Sequence, residues 1–168
     1  QELFCARDRF GEKPFYYAIG INGEFIFASE IKAILASKLL KPKVNSEALY
    51  HYLQYGYVSA FQSIYSNVFT LPPAHQLVFS ECKISVERYY SIPKNDVEIS
   101  LSEAKEQFSH LLKNAVKKQL IADVEVGSFL SGSIDSSTIV AIVNDFKPQQ
   151  TTISFGYSGA NSELKFAE

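Results

Sequence analysis

At 168 residues, 46% hydrophobic and 14% aromatic, the chain has ample apolar mass for a packed core and does not have the composition of a disordered segment. Its formal net charge of −2 leaves no basic footprint, which argues against nucleic acid as a partner. No apolar run is long enough to span a bilayer and no signal peptide opens the chain, so no membrane association and a cytoplasmic location are expected.

The length suits one full domain or parts of two. There is no methionine, the first residues, Gln1 to Arg7, read as though already inside a strand, and the stretch ending at Glu168 reads as the start of a helix. The expectation is an internal segment of a longer protein. Leu3 to Ala6 and Phe15 to Ile19 are strand-like, and Asn22-Gly23 between Ile21 and Phe25 is a two-residue hairpin signal leading into Phe25 to Phe27. Ser29 is the expected cap of a short helix, Glu30 to Ser37, with Ile31, Ile34 and Leu35 on its apolar side. After a break at 38–44, Asn45 or Ser46 caps a helix over Glu47 to Tyr55, with Leu49, Tyr52 and Leu53 at helical spacing and Gly56 at its end.

From Val58 to Tyr90 the pattern changes to turns and short strands: Val68-Phe69, the Pro72-Pro73 turn, Gln76 to Phe79, and Lys83 to Tyr90. His75 reads as a turn or strand residue. Cys5 and Cys82 lie far apart without metal or disulfide spacing, and both read as buried free thiols. Ser91 to Ile99, with Pro93, Asn95 and Asp96, reads as a linker. Ser100 and Glu103 then form a capping box ahead of a long amphipathic helix whose apolar face carries Leu101, Ala104, Phe108, Leu111, Leu112, Ala115 and Leu120.

Val124 to Leu130 reads as a buried strand and Thr138 to Val143 as the first turns of a helix. Between them, Ser131-Gly-Ser-Ile-Asp-Ser-Ser137 is a tight loop of hydroxyl residues and glycine. A loop of this kind at a helix start gathers backbone N–H groups and the positive end of the helix dipole toward one point, which is an anion site. It lacks the lysine of a Walker A motif and the glycines of a dinucleotide fingerprint. The plain alternative is that Asp135 or Ser136 simply caps the helix. Lys147-Pro148 stops that helix before a second strand at Thr151 to Phe155, so a parallel sheet with a right-handed crossover is expected, with ligands at the carboxyl ends of its strands.

The loop resembles the pyrophosphate loop of the ATP pyrophosphatases. Six stretches extend the likeness over nearly the whole chain: Ala6 to Tyr17, Phe27 to Leu35, Tyr52 to Tyr57, Leu71 to His75, Phe129 to Ser137 and Thr152 to Tyr157. Together they resemble the glutamine-hydrolysing asparagine synthases. The resemblance implies an α+β remnant of an N-terminal-nucleophile glutaminase domain, followed by the start of an α/β parallel-sheet ATP-pyrophosphatase domain of the adenine nucleotide alpha hydrolase-like kind. Residues 1–80 would close the glutaminase domain, 81–99 connect, and 100–168 begin the synthetase domain.

The function so implied is an ATP-dependent ligase that adenylates the aspartate side chain and transfers glutamine-derived ammonia to it. The implied substrates are ATP, aspartate and glutamine, the cofactor is Mg2+, and a homodimer would form through the glutaminase domain. The resemblance places ATP against Leu130, Ser131, Gly132, Ser133, Asp135, Ser136, Ser137 and Phe155, with Asp135 holding Mg2+ and Phe155 standing where the family usually has Ile or Val. Glu163 lies in a segment, 161–167, like the family's Asp/Asn-Glu-x-x-Tyr-Ala region. The family's nucleophilic cysteine lies upstream of these residues, so no catalytic residue is assigned and this segment alone is expected to be inactive. Arg7, Asp8 and Arg9 read as a structural ion cluster.

One position departs from the family loop, since Ser133 stands at its second glycine. A positive φ there would cost on the order of 1 kcal/mol or more and obstruct the pyrophosphate. A negative φ would let the serine add a hydroxyl. Two further readings stay open: a relative that amidates another carboxylate, such as a sugar acid or a β-lactam precursor, and a nucleotide-binding homologue with reduced turnover.

Overall fold

The structure, a computed structural model, describes residues 2–59, 62–94 and 98–156. Its contacts divide the chain into two compact units, Gln1–Asn95 and Asp96–Glu168, each described by itself below. Asn95 and Asp96 of the expected linker, Tyr157 of the last matching stretch, and Glu163 with its segment 161–167 lie outside the described residues.

The first unit contains, in chain order, β1 (Glu2–Ala6), β2 (Tyr16–Ile19), β3 (Phe25–Ala28), α1 (Ile31–Ala36), α2 (Ser46–Tyr55), β4 (Phe69–Thr70), β5 (His75–Ser80) and β6 (Lys83–Arg88). Two antiparallel three-stranded sheets result, β1-β5-β6 and β3-β2-β4. Successive residues of a strand face opposite sides, and β2 uses both. Tyr17 joins Cys5, Leu71 and Leu77, with Phe15, Phe25, Phe79 and Ile84 packed around them, so this cluster cements one sheet to the other. The next residue, Ala18, joins Ile34, Leu40 and Val68 on the opposite face, beneath α1. Burial on both faces is why β2 is apolar or aromatic throughout rather than alternating.

Several local expectations are corrected. Asn22-Gly23 is not a two-residue turn. The strands pair out to Ile19↔Phe25 and the loop between them spans 20–24, because the Glu24 carboxylate turns back to accept the Asn22 amide and side chain, both at 3.0 Å. Ser29 does not cap α1. The pairing of Ala28 with Tyr16 keeps the chain extended through Glu30, which occupies the cap position without a side-chain cap bond. In α2, Asn45 is the cap, accepting from the Glu47 and Ala48 amides, and Gly56 ends the helix at φ 79°. Its buried residue is Ala48, whereas Leu49, Tyr52 and Leu53 remain exposed. Cys5 is buried, and that burial pushes its thiol pKa up. Cys82 is exposed: with Glu81 it forms the tip between β5 and β6, both residues at positive φ, so it is not a core thiol. The compact unit runs past residue 80, through part of the expected connection, because β6 pairs with β5 along its whole length.

Arg7, Asp8 and Arg9 are structural, but not through ion pairing among the described residues. The Arg7 guanidinium donates to the carbonyls of Lys13 (2.8 Å), Leu71 (2.7 Å) and Gly11 (2.9 Å). The Asp8 carboxylate accepts the amides of Phe10, Glu12 and Lys13 at 3.0 to 3.2 Å, and the Asp8 carbonyl accepts those of Gly11 and Ala74. Arg9 lies over the Tyr90 ring, 4.6 Å from its centroid. These two side chains satisfy loop groups that no strand ladder reaches.

The second unit contains α3 (Leu101–Gln119), β7 (Ser128–Phe129), α4 (Ile134–Phe146) and β8 (Thr152–Ile153). The Ser100/Glu103 capping box is present, and its hydrogen bonds, the Ser100 side chain's first, hold the Glu103 carboxyl below its ordinary pKa. The packed seam of α3 is narrower than the expected face. Val116 is buried and Ala104, Leu112 and Leu120 are half-buried, while Leu101, Phe108 and Leu111 stand exposed. This seam meets α4, with Lys113 3.6 Å from Asp145 and Lys117 over the Phe146 ring. No helix among the described residues is long and apolar enough to cross a membrane.

The Asp8 carboxyl is held below its ordinary pKa by amide donation, first from Glu12 and then from Lys13. A folded-state pKa below the unfolded one contributes stability above the unfolded value, about pH 4, that is lost as pH falls through the lowered one. Thermal unfolding followed from pH 6 to pH 2 is expected to show this acid limb, and Asp8→Asn to flatten it. An unchanged limb in the variant would refute the assignment.

Candidate functional site

The second unit places its motif loop by a short parallel pairing. Ser128 pairs with Thr152 and Phe129 with Ile153, and the crossover between them is α4. The strand expected over Val124 to Leu130 shrinks to two residues because β8 supplies only two partners. Gly127 allows the approach, since a Cβ there would lie 3.1 Å from the Thr151 carbonyl oxygen. Beyond β7, the Leu130 amide donates to the Ile153 carbonyl at 2.9 Å, and the Ser154 hydroxyl donates to the Leu130 carbonyl at 2.6 Å. Both main-chain groups of Leu130 are therefore fixed where the loop begins.

Gln150 adds a brace that the sequence did not signal. Its Oε1 accepts the Ser128 hydroxyl at 2.7 Å and its Nε2 donates to the Val140 carbonyl at 3.0 Å, tying β7 to α4.

The loop itself turns at Gly132, at φ 83°, a conformation that costs a side-chain residue about 1–2 kcal/mol. Ser133 has φ −72° and ψ 159°, so its backbone is one that any residue adopts. Helix α4 begins at Ile134, four residues before the expected start at Thr138, and Ser133 is its N-cap, its side chain accepting the Ser136 amide. The capping role weighed for Asp135 or Ser136 thus belongs to Ser133, because those two residues already lie in the first helical turn.

The hydroxyls of Ser131, Ser133 and Ser136 lie 3.0 to 3.1 Å from one another. The Ser131 amide donates to Ser136 Oγ at 3.2 Å, and the Ser137 amide to the Ser133 carbonyl at 3.0 Å. Among the described residues, the amides of Gly132, Ile134 and Asp135 have no protein partner. A glycine turn, three hydroxyls and three uncommitted amides at the start of a thirteen-residue helix give a donor-rich turn suited to an oxyanion.

Asp135 is exposed in the first turn of α4. Among the described residues, no group of three or more His, Cys, Asp or Glu could hold a metal ion. A single carboxylate beside an anion site still fits Mg2+, which keeps several waters and is held by one or two carboxylates plus phosphate oxygens. The fit is therefore to a metal that arrives with a phosphate ligand.

Phe155 lies beyond the end of β8, 77% exposed, with its ring centroid 5.7 Å from that of Phe129, which is 70% exposed. With Leu130, Ser131 and Ile153 these rings line an open cleft of about 330 Å3. Ser131 belongs to both the cleft and the loop. The structure thus brings together Leu130, Ser131, Gly132, Ser133, Asp135, Ser136, Ser137 and Phe155 around one turn, and adds Phe129, which sequence reasoning treated only as part of a match. The first unit has a separate cleft of about 450 Å3, lined in part by Arg7, Tyr16, Gln62 and Thr70. Among the described residues, no cysteine lines it.

Comparison with known proteins supports the two-part reading of the chain. Residues 1–90 match the model of the glutamine amidotransferase domain and residues 107–168 that of asparagine synthase. A putative glutamine-hydrolysing asparagine synthetase 2 of Methanocaldococcus jannaschii is 39% identical over 98% of this chain and 33% of its own length. Asparagine synthetase 3 of Bacillus subtilis is 38% identical over 83% of this chain and 23% of its own. Amidase chyE of Penicillium rubens is 29% identical over 98% of this chain and 25% of its own. The chain spans between about a quarter and a third of the length of these relatives.

The cap geometry sets a graded expectation. Replacing a capping serine by alanine costs about 1 kcal/mol, whereas glycine costs only a few tenths. Equilibrium unfolding of the second unit within the complete protein is expected to rank Ser133→Gly above Ser133→Ala in stability. The reverse order would mean that the hydroxyl is not the cap.

Proposed function

The chain belongs to the family of glutamine-hydrolysing asparagine synthetases, and on that premise we propose that it carries the pyrophosphate loop of an ATP-dependent amide ligase. In this reading ATP is cut between its α and β phosphates, the side-chain carboxylate of aspartate is adenylated, and ammonia displaces AMP to give asparagine. The observation that carries the reading is the turn after Leu130, where Gly132, the three serine hydroxyls and the free first-turn amides converge beside Asp135.

Each part of the turn has a task. The amides of Gly132, Ile134 and Asp135 and the hydroxyls of Ser131, Ser133 and Ser136 donate to the β and γ phosphate oxygens, stabilising the charge that grows as pyrophosphate departs. The Leu130 main chain, fixed by Ile153 and Ser154, sets how near the nucleotide approaches the sheet. Asp135 holds Mg2+, which when bound neutralises the leaving group's charge. The φ of −72° at Ser133 removes the backbone argument for an impaired loop.

The first unit then belongs to an N-terminal-nucleophile glutaminase domain that supplies the ammonia. Its buried, proton-retaining Cys5 is unsuited to that chemistry. The second unit begins an ATP-pyrophosphatase domain. Mg2+, glutamine as ammonia donor, a homodimer through the glutaminase domain and a cytoplasmic setting belong to the same proposal. A different carboxylate acceptor is the second reading, since no residue of the turn is assigned to the acceptor.

The complete protein, given ATP, Mg2+, glutamine and a panel of amino-acid, sugar-acid and β-amino-acid carboxylates, is expected to form AMP and pyrophosphate only with its own acceptor, aspartate under the first reading. Asp135→Asn is expected to lower that rate about a hundredfold or more, corresponding to a few kcal/mol of lost charge stabilisation. Release of ADP and phosphate instead of AMP and pyrophosphate would overturn the assignment.

A further inference from the structure

We propose that Gln150, which makes no hydrogen bond to the serine loop, is a positioning residue for it: its side chain sets how the first turn of α4 stands relative to the end of β7, and thereby how well the loop binds pyrophosphate. The inference rests on the phosphate-loop reading above and adds to it the element that holds the loop in shape. The loop is a bridge from β7 to α4, so its shape follows from the separation of those two elements. Gln150 spans that separation. Its Oε1 accepts from the Ser128 hydroxyl at 2.7 Å, just ahead of the point where the chain leaves the sheet, and its Nε2 donates to the Val140 carbonyl at 3.0 Å. Among the described residues, no other side chain hydrogen-bonds both elements.

The leverage comes from where the helix is held. Val140 lies six residues beyond Ile134, the first residue of α4, so at about 1.5 Å per residue the anchored carbonyl is about 9 Å from the first-turn amides. A pivot of about 10° at that anchor carries those amides about 1.5 Å. Misplacement of about 1 Å at a reacting centre can cost about a hundredfold in rate. The carboxyl end of α4 is held from another side, since Asp145 lies 3.6 Å from Lys113 and the Phe146 ring lies beneath Lys117, both lysines on α3. The amino half is left to the Gln150 bond and to the loop itself.

The backbone ahead of Gln150 supports the same role. Gln149 adopts φ 62°, in the left-handed region that a residue with a side chain rarely enters, and its amide donates to Asn144 Oδ1 of α4 at 3.4 Å. This unfavourable step precedes a residue whose amide group meets two different needs, receiving a hydroxyl proton and supplying a proton to a carbonyl. The Val140 carbonyl can only accept, which fixes which end of the Gln150 amide faces it. An ionised carboxylate at this position has no proton for Val140, and an aliphatic side chain has neither group.

The test measures Mg-pyrophosphate binding and AMP formation by the complete protein, with thermal unfolding as a control. Gln150→Leu keeps much of the side-chain bulk without the amide. It is expected to weaken Mg-pyrophosphate about tenfold and to lower kcat for AMP formation about 10- to 100-fold, leaving the KM for glutamine unchanged. Ser128→Ala removes one of the two bonds and is expected to give a smaller loss, and to add nothing when combined with Gln150→Leu. Ser128→Thr keeps the hydroxyl and is expected to bind pyrophosphate nearly as the original protein does. Val116→Ala, in the buried seam of α3, is expected to lower the melting temperature without moving pyrophosphate affinity. Unchanged pyrophosphate affinity and kcat in Gln150→Leu would overturn the proposal while leaving the phosphate loop in place. An equal loss of affinity in Val116→Ala would also overturn it, because the amide would then act only through general stability. If Gln150→Leu does not fold, the Ser128→Ala result decides on the same terms. Failure of the unsubstituted protein to bind Mg-pyrophosphate would remove the phosphate-loop reading, and the inference with it.

Discussion

The hydrogen bond from the Leu130 amide to the Ile153 carbonyl, 2.9 Å long, is the point on which the second unit turns. It extends a two-residue parallel ladder by one link and, with Ser154 donating to the Leu130 carbonyl, ends the strand with both of its last polar groups engaged. The chain must then leave the sheet plane at Ser131. Gly132 supplies the left-handed step and Ser133 returns the backbone to an extended conformation from which a helix can start. Without that fixed departure point, the free amides at the start of α4 would have no defined relation to the cleft beside Phe155.

The two units solve the same problem with different side chains. Loops expose backbone donors and acceptors that ladders and helices leave over, and each such group is costly when it is removed from water without a partner. In the first unit Arg7 takes three carbonyls and Asp8 three amides, so the stretch from Arg7 to Lys13 is held as a rigid turn. In the second unit Ser100 and Ser133 cap the two helices. The difference lies in what remains. The first turn is saturated by its own charged residues, which suits a structural element. The serine loop leaves amides unclaimed, which suits a ligand.

Ser133 illustrates how a departure from a family pattern is judged by backbone geometry rather than by residue type. A serine in place of a glycine raises the question of strain, and the answer depends on a single dihedral. At φ −72° the side chain costs nothing in backbone terms, and it contributes a cap. The positive φ falls one residue earlier, at Gly132, which this chain retains.

Part of the local chemistry, where a residue acts on its immediate neighbours, was legible in the sequence. The Asn45 cap, the Gly56 stop, the Ser100–Glu103 box and the turn of the serine loop all depend on contacts within about a helical turn, and residue types report such contacts directly. Family likeness likewise marked the loop residues. Tertiary structure alone decided which apolar side chains would be covered. Leu49, Tyr52, Leu53, Phe108 and Leu111 recur at helical spacing yet stay exposed, whereas Ala48 and Val116 are buried, because spacing defines a stripe and only the partner surface selects the seam. It also decided that Cys82 sits at an exposed tip, that Arg7 binds a carbonyl sixty-four residues away, and that Phe129 meets Phe155. Such contacts join segments distant in sequence, and their distance is set by strand register, which no local pattern encodes.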